Sequence, residues 1–149
     1  MRLCSIASGS SGNCIYVGSD EAHVLVDVGI SGKKIVEGLY SLDLSPGDID
    51  GILITHEHSD HIKGLGVIAR KYEIPIYATG GTVDAMSRMG SLGKIPEGIF
   101  TEIREDEPFQ IKDLSVNPFT IPHDAAQPVG YRFECGGHSV GIATDLGKY

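Results

Sequence analysis

Apolar positions recur along this chain in two periods, and the period changes mark the elements. Leu3 to Ala7 and Cys14-Ile15-Tyr16-Val17 flank Ser8-Gly9-Ser10-Ser11-Gly12-Asn13, a tight turn by composition, so together they predict a hairpin. His23-Val24-Leu25-Val26-Asp27-Val28-Gly29 is nearly all apolar and predicts a strand buried on both faces. From Ser31 the period lengthens: Ile35, Leu39 and Leu42 share one helical face until Ser45-Pro46-Gly47-Asp48 breaks it. Ile49 to Ile54 is again a strand, and Val67 to Tyr72 reads as the body of a helix. Ile74 to Ala78 is a short strand whose Pro75 suggests an end or edge position. Thr79-Gly80-Gly81-Thr82 leads into a helix from Val83 to Met89, and Gly90 to Gly98 carries no readable order.

Strands then dominate: Phe100 to Ile103, Phe109 to Ile111, Leu114 to Ile121, and a hairpin of Pro128 to Glu134 with His138 to Thr144 about Gly136-Gly137. Strands that alternate with helices early and meander late predict a mixed sheet in a layered α/β architecture. No repeat, low-complexity tract or linker interrupts the chain.

Composition narrows the class. The 149 residues amount to one domain, and the 41 % apolar share is ordinary for a globular protein. A net charge of −8 argues against sequence-independent nucleic-acid binding through a basic face. It does not exclude an enzyme in which metal ions meet the phosphate. The three scattered cysteines, Cys4, Cys14 and Cys135, suit a reducing compartment. Met1 to Ser8 lacks the hydrophobic core of a signal peptide, and no run has the length of a membrane helix, so the expectation is a cytoplasmic protein.

The candidate chemistry is concentrated in Thr55-His56-Glu57-His58-Ser59-Asp60-His61, directly after the apolar run Gly51-Ile52-Leu53-Ile54. Imidazole and carboxylate are the donors that zinc and its neighbours take, and a strand end delivers them from a rigid base. His56 and His58 are two apart and fall on one side of an extended segment, whereas Asp60 and His61 are adjacent and require a turn. His123 follows the run Pro118 to Pro122, and Asp145 follows Val140 to Thr144; both lie just past strands.

The order His-x-His-x-Asp-His after an apolar strand resembles the metallo-β-lactamase-fold hydrolase superfamily. That resemblance implies a four-layer α/β/β/α sandwich and two divalent ions, zinc or manganese, with iron as a further option. It implies His56, His58 and His123 on the first ion, Asp60 and His61 on the second, and Asp145 bridging both. Asp60 becomes the catalytic carboxylate, beside a metal-activated water. Asp27 becomes a carboxylate that orients ligand histidines or their loop. His23 and His138 receive no role.

Ser8 to Asn13, with Leu25-Val26-Asp27-Val28-Gly29, the histidine-rich loop and Ala143-Thr144-Asp145-Leu146-Gly147, resembles the YycJ/VicX (WalJ-like) branch of that superfamily. The branch implies a DNA exonuclease or other phosphodiesterase, with nucleic acid as substrate and no membrane partner. Ser10, Ser11 and Asn13 become candidate substrate contacts, because a glycine-rich turn can hold an anion. Alternatives on the same fold are a di-iron redox enzyme and a non-catalytic metal-binding regulatory module. The family's domain adds a last histidine on the second ion. His138 precedes Asp145 and is on the wrong side to be that residue. The expectation is therefore that residues 1–149 are the N-terminal part of a hydrolase domain. They would be inactive alone, and paired with a second copy or with the missing segment.

Overall fold

The computed structural model describes residues 1–8, 12–96, 98–121 and 125–142. Ser10, Ser11, His123 and Asp145 lie outside them. Strands β1 (Arg2–Ala7), β2 (Cys14–Gly18) and β3 (His23–Val26) form an antiparallel meander. β4 (Gly51–Leu53), β5 (Ile76–Thr79) and β6 (Phe100–Ile103) then add in parallel, giving one mixed sheet in the order β1-β2-β3-β4-β5-β6. The crossovers carry α1 (Gly32–Tyr40), α2 (Ser59–Ile62) with α3 (Leu65–Tyr72), and α4 (Gly80–Ser87). A second, antiparallel sheet has the order β10-β9-β8-β7, from β7 (Phe109–Ile111), β8 (Leu114–Thr120), β9 (Val129–Cys135) and β10 (His138–Ile142).

Strand alternation divides the core in two. Tyr16, Leu25 and Ile52 point to the helices and join Ile35, Leu39, Leu65 and Ile68. Val17, Val24, Val26 and Leu53 point the other way, onto Leu114, Val116, Tyr131 and Phe133 of the second sheet. β3 is therefore buried on both faces, as its apolar run predicts. The described residues form helices, mixed sheet and second sheet in successive layers.

Several boundaries depart from the sequence reading. β3 stops at Val26 because Asp27 turns the chain with φ 64°. β5 starts at Ile76, not Ile74: Pro75 takes the end position, just before the first paired residue, so the strand lies inside the sheet between β4 and β6 with no ladder hydrogen bond lost. α4 starts at Gly80, not Val83, with Thr79 as its cap residue. The stretch after Met89 is also ordered: Gly90–Leu92 forms a 3₁₀ turn.

Candidate metal centre

Everything at the site hangs from the carboxylate of Asp27, at the end of β3. Its Oδ1 accepts the Thr55 N–H (2.8 Å), and its Oδ2 accepts the Thr55 hydroxyl (2.7 Å). Oδ2 also lies 2.6 Å from His61 Nδ1. The Thr55 hydroxyl in turn lies 2.9 Å from His56 Nδ1. Because that hydroxyl gives its proton to Asp27, it can only accept from His56. The chain of donors therefore runs from His56 Nδ1–H through Thr55 to Asp27, and from His61 Nδ1–H directly to Asp27. Both imidazoles are held in the tautomer that leaves a lone pair on Nε2, the state a metal ligand requires.

The rings pack together. His56 and His61 have centroids 3.9 Å apart, and His56 and His58 4.8 Å apart, edge to face. Asp27, His56 and His61 are fully buried. The Asp60 side chain is 27 % exposed, so it is the carboxylate of the group that a substrate could reach. Its Oδ2 lies 3.5 Å from His61 Nε2. His58 is the cap residue of α2, and the His61 N–H donates to its carbonyl (2.9 Å), which makes the turn that the adjacent Asp60 and His61 require.

Close backbone approaches lock this loop to the end of β3. The Asn13 N–H donates to the Asp60 carbonyl, and the Gly29 N–H to the Asn13 carbonyl, each at 2.8 Å. A Cβ on Gly29 would fall 1.8 Å from the Asp60 oxygen, so only glycine fits there. The Asn13 side-chain amide lies 3.4 Å from Asp60 Oδ2 and 3.3 Å from His61 Nε2. It thus stands in the candidate centre itself.

The second sheet braces the loop from the other side. The Tyr131 hydroxyl donates to the Ile54 carbonyl (2.7 Å), and the Val129 N–H to the Thr55 carbonyl (2.9 Å). Burial, and next the charge of Asp27, push the Tyr131 phenol well above its ordinary value, so it remains a donor. The same two causes raise the Cys14 thiol.

Sequence reasoning singled out the histidines, Asp60 and Asp27, and the structure brings His56, His58, Asp60, His61, Asp27 and Asn13 together. It overlooked Thr55 and Tyr131; a β-branched residue and a tyrosine in strand settings carry no signal of a relay. Among the described residues, no group of three or more His, Cys, Asp or Glu side chains is placed to hold a metal ion. The clustered imidazoles, with two tautomers fixed, nevertheless have the donor chemistry of a transition-metal site.

The model of the metallo-beta-lactamase superfamily matches residues 7–149. The chain belongs to the metallo-β-lactamase superfamily. The superfamily fold is also found by structure: a metallo-beta-lactamase of Cronobacter sakazakii with a HARLDQ motif superposes with a TM-score of 0.82 at 15 % identity. That superposition covers 97 % of this chain and 56 % of the other.

Within the superfamily the chain is similar to the exodeoxyribonuclease YycJ of Bacillus anthracis, 44 % identical over 147 residues, 99 % of this chain and 55 % of that protein. It is also similar to the exodeoxyribonuclease WalJ of Streptococcus pneumoniae serotype 2, 42 % identical over 142 residues, 95 % of this chain and 53 % of that one. These names bear out the branch that the glycine-rich turn and the histidine loop suggested. The chain spans about half the length of both relatives.

Proposed function

We propose that residues 1–149 belong to a hydrolase domain that cleaves phosphodiester bonds in DNA, as an exodeoxyribonuclease of the YycJ type. The observation that carries this reading is the relay from Asp27, which sets His56 and His61 to present Nε2 beside His58 and Asp60. The exodeoxyribonuclease relatives support the substrate class. His56, His58 and His123 would hold one divalent ion, and Asp60 and His61 a second, with Asp145 between them. Zinc or manganese suits these donors, with iron a further option. The ions would supply Lewis acidity towards the phosphodiester and its attacking water.

The chain's own groups do the rest. Asp60 orients the attacking water and takes its proton on the carboxylate, which its exposure permits. Asn13, bonded to the backbone of Asp60, keeps that carboxylate against His61. Asp27 fixes ring orientation from behind. Ser10 and Ser11 would join Asn13 in contacting the substrate.

The three cysteines are free thiols, which suits a cytoplasmic location. No helix among the described residues is long and apolar enough to cross a membrane.

The test is hydrolysis of single-stranded DNA by the intact protein with manganese or zinc, beside His58→Ala and Asp60→Asn. Activity that chelation abolishes, and that both variants lose by about 10²-fold or more, is expected. Undiminished turnover in Asp60→Asn removes that residue from the chemistry. No hydrolysis under any metal overturns the reading.

A further inference from the structure

Beside the histidine loop lies a second cavity, of about 250 Å³, between the start of α2 and the turn after α4. Its lining is Glu57, Ser59, Ile62, Lys63, Met89 and Leu92. Glu57 and Ser59 flank His58 in the chain, so the cavity lies beside the loop that carries the candidate centre, and Glu57 Oε2 accepts the Ala126 N–H (2.9 Å). Ile62 and Leu92 are buried and form an apolar floor, with the Met89 thioether at the side. Lys63 is the cation on its lip. The volume lies below the roughly 300–1,000 Å³ of drug-sized ligand pockets, which suits one flat ring.

The wall of this cavity is built rather than incidental. It is the glycine-rich stretch whose order the sequence did not reveal. Arg70, on α3, donates from Nη1 to the carbonyls of Leu92 (2.7 Å) and Lys94 (3.1 Å). Gly66 admits the Leu92 carbonyl where a Cβ would fall 2.2 Å from it. Gly93 turns the chain at φ 70° against the Arg70 guanidinium. An arginine and two glycines thus hold this wall in place.

We propose that this cavity takes the nucleobase of a DNA strand bound at the metal centre, with Lys63 on a neighbouring phosphate. The proposal rests on the nuclease reading above and specifies where its substrate lies. A heterocycle stacks on an apolar floor and makes a favourable sulfur contact with methionine. An ammonium at the lip meets the phosphodiester charge, in a chain whose net charge of −8 otherwise repels it. A base taken from its stack into a pocket beside the reacting phosphate leaves that phosphate fixed against the histidine loop.

The test uses the intact protein and a labelled, cleavage-resistant phosphorothioate oligodeoxynucleotide, read by fluorescence anisotropy. Met89→Ala is expected to weaken binding about tenfold, the scale of losing one stacked base. One abasic position along the strand should cost the unsubstituted protein the same amount and cost Met89→Ala nothing further. Lys63→Ala, an exposed change that leaves the fold alone, should weaken binding for every sequence and lower the salt slope by about one. Binding within twofold of the parent for both variants overturns the proposal. So does an abasic cost that is equal in parent and Met89→Ala, or a parent that binds no strand. If the parent binds the strand but hydrolyses no DNA, the nuclease reading falls on its own, and the abasic comparison still decides the cavity.

Discussion

At the scale of the residue, Asp27 is the position on which most depends. It receives three donors at full burial, and its own backbone turns at φ 64° to aim the carboxylate. Asp27→Ala would leave the Thr55 N–H, the Thr55 hydroxyl and His61 Nδ1 with no carboxylate to receive them. The expected loss is on the order of 3–5 kcal/mol in urea unfolding, the cost of removing one partner from a buried charged cluster. A loss under about 1 kcal/mol would show that the relay is not structural. Gly29→Ala should be comparably severe, because the added methyl meets the Asp60 carbonyl; unchanged thermal stability would contradict that packing. The sequence made Asp27 visible as a strand-end carboxylate in a familiar setting. It could not show the relay, because Thr55 and His61 reach Asp27 only after the crossover through α1 brings β3 beside β4.

At the scale of the element, the parallel strands deliver the loops and the second sheet holds one of them down. Tyr131 on β9 is the brace, and Tyr131→Phe removes its hydrogen bond to Ile54 while keeping the ring. A destabilisation of about 1 kcal/mol is expected from chemical unfolding. A neutral outcome would mean that the Ile54 carbonyl finds water instead. The turn after α4 depends in the same way on Arg70. In Arg70→Ala, amides of residues 90–94 should exchange with deuterium faster while those of β4 keep their protection. Uniform exchange in the two proteins would sink the claim of a built wall. Strands and helices with clear periods were legible in the sequence; this turn was not, because its order comes from one distant guanidinium. Leu42 shows the opposite limit. It continues the apolar stripe of α1, but the helix has already ended at Tyr40.

At the scale of the whole molecule, the loop after β8 is tied to both layers through one glutamine. Thr79 and Thr82 donate to the Gln127 carbonyl at 2.8 and 3.2 Å, and the Gly81 N–H donates to its side-chain oxygen at 2.7 Å. Its amide donates to Glu105 at 2.7 Å, and Thr120 also donates to Glu105. These two hydrogen bonds, that from Thr120 first, hold the Glu105 carboxyl below its ordinary value. A lowered folded value stabilises above the unfolded one, near 4.3, and that contribution disappears as pH falls through the folded value. The parent should therefore be more stable than Glu105→Gln at pH 6, with the difference closing in strong acid. A difference in urea midpoint that persists there would refute the linkage.

The central claim is that His56, His58, Asp60 and His61 form a metal centre, and anomalous diffraction tests it most directly. Crystals of the intact protein grown with manganese or zinc should show anomalous density within coordination distance of His56 and His58, and of Asp60 and His61. Metal-saturated crystals with anomalous peaks elsewhere, and none among these four side chains, would contradict the account.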